Sequence, residues 1–143
     1  GLKGLLRKLL SAEKFKVKHL DDFSPDYDII IIAVGTPSRD NGEIDLSYIE
    51  EAASFVGKSI KISDRFTSVI VKSTVLPGTT DIIVRNIIEK ESGKNLGDYG
   101  LGMNPEFLRE GNAIEDFSHP DRIVFGHEDN KTLLYLEKLY KSW

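Results

Sequence analysis

Two carboxylates and a few short hydroxyls are the side chains in this sequence whose type and spacing could do chemistry. Glu106 and Glu110 flank Phe107, Leu108 and Arg109 in the stretch NPEFLREG. If that stretch turns as a helix, the i, i+4 spacing sets both carboxylates on one face. A carboxylate held near a hydroxyl can hold a water and accept its proton. Thr36, between Gly35 and Pro37 in GTPS, offers such a hydroxyl beside a glycine that permits close backbone approach. Ser73 and Thr74 precede Pro77 and Gly78 in KSTVLPGTT, at an expected helix start. A helix N-terminus attracts anions, and a hydroxyl there also serves simply as a cap. Read locally, Glu106 and Glu110 are equally a solvated pair on a loop, and Thr36 a residue of a turn.

These loops need elements to position them. DYDIIIIAV is a continuous β-branched run, the pattern of a strand buried on both faces of a parallel sheet. GTPSRDNGEI follows as a loop, and Asp45 is expected to cap a helix from about Leu46 to Val56, with Ile49, Ala52, Ala53 and Val56 inward. TSVIVKSTV repeats the buried strand. A helix beginning near Thr79 or Thr80 carries a stripe of Ile82, Ile83, Ile87 and Ile88 and stops at Gly93. YGLGMNPEF reads as a third strand, DRIVFG as a fourth, and NKTLLYLEKLYKSW as a closing helix in which Trp143 packs. Ahead of all these, Leu2, Leu5, Leu6, Leu9 and Leu10 make one helical stripe expected to pack on the sheet, and FKVKHL reads as a short edge strand with Phe15, Val17 and His19 on one side.

Buried strands alternating with helices imply an α/β fold: a Rossmann-like parallel sheet with flanking helices and right-handed crossovers. Ligands of such sheets sit beyond the carboxyl ends of the strands. GTPS, KSTVLPGTT and NPEFLREG all fall there, and their coincidence says more than any one of them.

Composition removes several alternatives. The 143 residues suit one domain, large enough to form a core without staples. A net charge of −4 gives no electrostatic reason to expect nucleic acid. With no cysteine, the chain itself offers no disulfide, thiolate metal site or thiol nucleophile. The apolar runs are far shorter than a bilayer requires, and no signal-peptide pattern opens the chain, so a cytoplasmic protein without a membrane partner is expected. His19, His119 and His127 lack metal-ligand spacing, and no metal site is expected.

Three segments, IIAVGTPSRDNGEIDLSYIEEA, VKSTVLPGTT and MNPEFLREGNAIEDFSHPDRIVFG, resemble the UDP-glucose/GDP-mannose dehydrogenase family in order and spacing, and GLKGLL is similar to a preceding helix of that family. The resemblance implies an NAD-dependent enzyme oxidising the C6 hydroxymethyl of a nucleotide sugar, in two hydride transfers through a cysteine thioester. It implies that Thr36 lies near the nicotinamide and helps hold a water, and that Glu106 assists proton transfer or hydrolysis. It places Gly35, Thr36, Pro37, Ser73, Thr74 and Glu110 on the cofactor, and Glu106, Phe107, Leu108 and Arg109 on the substrate. The wording of NPEFLREGNAI is nearer the UDP-glucose branch, so UDP-glucose is the expected substrate and UDP-glucuronate the product.

The sequence departs from the whole family pattern. Its early glycines, Gly1 and Gly4, lie in a helical pattern, so the G-x-G-x-x-G turn and the ribose-binding acid are missing. The catalytic cysteine, the lysine and asparagine of the central helix and the C-terminal nucleotide domain are missing too. The expectation is one partial NAD-binding domain over 1–143, inactive alone and belonging to a homo-oligomeric enzyme. Without the first half, the edge of DYDIIIIAV would be exposed to self-association or covered by the N-terminal helix. The competing reading is a stand-alone α/β interaction module without catalysis. A hydroxyacid dehydrogenase relative would share the strand-GTP pattern but not NPEFLREG followed by HPDR.

Overall fold

The computed structural model describes residues 2–141; Gly1 and Trp143 lie outside them. Helix α1 (Leu2–Ser11) leads to β1 (Ile29–Ile32), α2 (Ser47–Ile60) and β2 (Ser68–Val71). A π-helical segment, Thr79–Val84, then runs into α3 (Arg85–Ser92), followed by β3 (Gly100–Met103), α4 (Ala113–Ser118), β4 (Gly126–His127) and α5 (Asn130–Tyr140). The sheet has the order β1-β2-β3-β4. Ile30 sits opposite Val69, and Val69 opposite Leu101, in parallel register. The α/β, Rossmann-like fold is as expected, with one change: β4 runs antiparallel to β3 and is only Gly126–His127. The residues of DRIV stay outside the sheet, because β4 pairs only with the last two residues of β3.

Strand alternation divides the core. Ile30, Ile32, Val69, Val71 and Leu101 face α2 and α3, meeting Ile49, Ala53, Val56, Ile60, Val84 and Ile88. Each valine, leucine or isoleucine among them contributes roughly 1.5–3 kcal/mol when fully buried. Gly57 lets α2 and α3 touch, since an added Cβ would lie 2.8 Å from the Cβ of Glu91. Ser68 turns to the other face, where its hydroxyl meets that of Thr132 at 2.9 Å beneath α5. Gly100 is obligatory there: a Cβ would come within 2.0 Å of Thr132 Oγ1.

Several expectations need correcting. The leucine stripe of α1 forms as a helix but packs on nothing that buries it. Residues 14–19 form no strand, and Val17 is 78% exposed. A strand needs a partner for its backbone groups, and among the described residues none lies along the outer edge of β1. Nor does α1 cover that edge. β1 is buried on one face only, with Ile31 44% exposed, because α5 packs mainly on β2, β3 and β4. The isoleucine stripe of the α3 region is displaced. Arg85 N–H bonds back to Thr80 O, the i→i+5 pattern of a π-turn, and this slip buries Val84, Ile88 and Ser92 while Ile82 is 57% exposed.

Asp45 is not the N-cap of α2: Leu46 takes that position, and the helix runs to Ile60, a turn beyond the expected Val56. α2 begins where Asp45 accepts from Ser47 N–H at 3.0 Å, and that bond, with those from the Ser47 and Arg39 side chains, holds the Asp45 carboxyl below its ordinary range. Gly93 ends α3 at φ 72°, a left-handed position that favours glycine. No described helix is long and apolar enough to cross a membrane.

Candidate functional site

The carboxyl ends of β1, β2 and β3 are bound to one another by side chains. Ser73, at the end of β2, donates to Val34 O at 2.6 Å and accepts from Val34 N–H at 2.9 Å. Its hydroxyl thus ties β2 to the end of β1 rather than standing open to a ligand. Thr36 donates to Thr74 O at 3.1 Å, which joins the two loops a step further out. Gly35, Pro37 and Thr74 are exposed beside it, and the space over Gly35 is open, since an added Cβ would meet nothing within 4 Å. Asp45 N–H to Pro37 O, at 2.7 Å, anchors the far side of this ledge.

The loop after β3 builds a second feature, a cavity of about 270 Å³ lined by Lys72, Asn104, Glu106, Phe107, Leu108 and Arg109 together with Asp116, His119, Arg122 and Tyr140 among others. Four of the expected residues, Glu106 to Arg109, meet here. Glu110 does not line the cavity, and neither do Gly35, Thr36, Pro37, Ser73 and Thr74. The segment from 104 to 109 is an irregular loop rather than a helix, so Glu106 and Glu110 share no helix face. Pro105 explains it: the residue before proline is steered away from helix, and Asn104 is held in the sheet register by its N–H to Val71 O. Glu106 instead accepts from Leu108 N–H at 2.6 Å.

Arg109 is engaged within the chain. Its guanidinium meets Asp116 at 2.6 Å, its backbone N–H donates to the same carboxylate at 2.8 Å, and Asn112 adds a third donor at 2.7 Å. Arg109 beside it holds the Asp116 carboxyl far below the usual carboxylate range. Arg122 lies 4.7 Å from the centre of the Phe107 ring, a cation over an aromatic face.

Residues not singled out from sequence organise this cavity. Lys72 Nζ donates to Asn104 Oδ1 at 3.1 Å, Asn104 Nδ2 donates to Val124 O at 2.9 Å, and the Tyr140 hydroxyl donates to Asn104 Oδ1. Burial pushes the Lys72 ammonium below an ordinary lysine, and the charge of Glu106 opposes that shift. A lysine placed between a buried strand and Ser73 was the available signal. The histidines stand elsewhere or at the rim: His19 lies 3.0 Å from Asp21, and His119 3.0 Å from Glu115. Among the described residues no group of three His, Asp or Glu side chains comes together as a metal site.

The comparison with known proteins accounts for this arrangement. All of residues 1–143 match the model of the UDP-glucose/GDP-mannose dehydrogenase family, NAD binding domain. The chain belongs to that family. It is 41% identical to the GDP-mannose 6-dehydrogenase of Pseudomonas aeruginosa over 99% of its own length and 33% of that protein. The crystal structure of a ternary complex of GDP-mannose dehydrogenase from that organism superposes with a TM-score of 0.93 at 40% identity, covering 99% of this chain and 33% of that one. A UDP-glucose dehydrogenase from the archaeon Pyrobaculum islandicum gives 0.91 at 40% identity, again over 99% and 33%. The chain spans about a third of the length of these relatives.

NAD is the cofactor of this family domain. The residues present fit part of it. The open ledge of Gly35, Thr36, Pro37 and Thr74 lies where an α/β sheet receives a ligand, and the space over Gly35 admits a close approach. No glycine-rich pyrophosphate turn is among these residues.

Proposed function

We propose that this chain forms the nicotinamide side of the active site in an NAD-dependent nucleotide-sugar 6-dehydrogenase. The joining of three loops at one end of the parallel strands carries the reading: Thr36 to Thr74, Ser73 to Val34, and Lys72 to Asn104. NAD, when bound, accepts hydride from C6 of the sugar. Thr36 would orient a water at the ledge, and Glu106, exposed at the edge of its cavity, would take a proton. Phe107 and Leu108, both partly exposed, would meet the sugar. Arg109, clasped by Asp116, would contribute through the loop it closes.

The thiol for a thioester route would come from outside these residues, which contain no cysteine. So would the pyrophosphate turn and the domain that reads the base. The whole protein would be a cytoplasmic homo-oligomer, a setting consistent with a soluble nucleotide cofactor.

The substrate is a nucleoside diphosphate hexose with a free C6 hydroxymethyl. NPEFLREGNAI favours UDP-glucose, and the likeness to the Pyrobaculum islandicum structure supports it. GDP-mannose is the second reading, favoured by the Pseudomonas aeruginosa relative. The test is NADH formation by the whole protein with each sugar nucleotide. One of the two should be oxidised, and Glu106→Gln should lower kcat by about 10²–10⁴-fold. A protein that binds NAD yet oxidises neither would overturn the reading. Calorimetry on this chain alone should show weak NAD binding or none; tight binding would mean that the phosphate site lies within it.

A further inference from the structure

We infer that Lys72 is a positioning residue, holding the Glu106 loop against the end of β2 through the buried amide of Asn104. The inference rests on the function proposed above only where it concerns turnover; the geometry stands without it. Lys72 follows directly on Val71, the last residue of a strand buried on both faces. Its side chain is half-buried, and a cation in such a place must find acceptors. It finds them in Asn104, at 3.1 Å to the side-chain oxygen and 3.4 Å to the backbone oxygen.

Asn104 is 3% exposed, and the bonds made by its amide leave it little freedom. Its Oδ1 accepts from both Lys72 and the Tyr140 hydroxyl, which uses both lone pairs, while Nδ2 donates to Val124 O. Its backbone N–H donates to Val71 O at 2.9 Å. One residue therefore joins β2, the start of the loop after β3, the segment leading to β4, and α5. Pro105 follows and limits the backbone, and Glu106 is next. The place of the Glu106 carboxylate relative to the β2 ledge is thus set two residues upstream. Losing the ammonium frees Asn104 Oδ1 on one side and leaves the loop to swing about Pro105.

The test uses the whole protein with Lys72→Met, Lys72→Arg and Tyr140→Phe. Lys72→Met should lower kcat by roughly 10²-fold, as a misplaced catalytic group does, with KM for NAD little changed. Trypsin cleavage after Arg109 should quicken in the same variant while cleavage at other sites keeps its rate. Lys72→Arg, which keeps a buried cation and donors, should restore both protection and most of the turnover. Tyr140→Phe removes one bond to Asn104 while keeping the ring beside Phe125, and should give the same changes to a smaller degree. Should Lys72→Met fold poorly, Tyr140→Phe decides by its cleavage rate. Unaltered cleavage after Arg109, or no rescue by arginine, would overturn the inference. If the parent protein oxidises no nucleotide sugar, the proposed function fails, and the cleavage rates still decide the role of Lys72.

Discussion

β1 and β2 are adjacent, parallel and equally long, yet the more apolar of them is the less buried. β1 is four isoleucines, and Ile31 is almost half exposed; β2 contains a serine, and all four of its residues are buried. Position in the sheet produces this. β2 has strands on both sides, α2 and α3 over one face and α5 over the other, whereas β1 has one strand neighbour and one covered face. Ser68 is admitted to the interior because Thr132 satisfies its hydroxyl. Burial is a property of the neighbours a strand has, and apolar composition only makes it affordable.

The contrast can be broken or sharpened by substitution. The largest effect is expected under β2: Ile88→Ala, in the packed face, should cost about 2–5 kcal/mol in urea unfolding. A loss below 1 kcal/mol would mean that this face is loosely packed. Next comes the tie between the strands. Ser73→Ala strands the Val34 N–H and C=O in a part-buried site and should cost about 1–3 kcal/mol. No measurable loss would show the two strand ends to be independent.

A smaller effect should appear away from both strands. Asp116 has a depressed folded pKa, so the stability it lends to its loop is present above the unfolded value of about 4 and is lost as pH falls through the folded one. On acid titration, release of the loop near Arg109 should therefore begin only below about pH 4, read from the amide NMR signals of residues 109–116. Release at pH 6 would contradict the clasp. The smallest change in stability is expected on the open face of β1, where Ile31→Thr should lie within about 0.5 kcal/mol of the parent. The informative readout there is association: the uncapped edge should make this chain self-associate with concentration in sedimentation, and Ile31→Lys should suppress it. A monomer at all concentrations would show that the edge is protected.

Much of the fold was legible because it rests on short-range chemistry. The start of α2 just after Asp45, the end of α3 at Gly93, and the two apolar runs that became β1 and β2 all depend on near neighbours. The candidate loops were legible for the same reason, since strand ends and turn residues mark them. The failures have one cause. FKVKHL alternates as a strand does, but pairing needs a second backbone, and none among the described residues pairs with it. The spacing of Glu106 and Glu110 suggested one helix face, yet Asn104, bonded to Val71 O, and Pro105 beside it keep the chain out of a helix.

By itself the sequence determined the α/β alternation, the family and the loops that end the strands, because periodicity, turn residues and motif order are written along the chain. Only the tertiary structure decided which faces are covered, that Ser73 is bound to Val34, and that Lys72, Asn104 and Tyr140 meet around one amide. Those residues lie 32 and 36 positions apart, and contacts across such separations depend on how strands and helices pack, which no local pattern records.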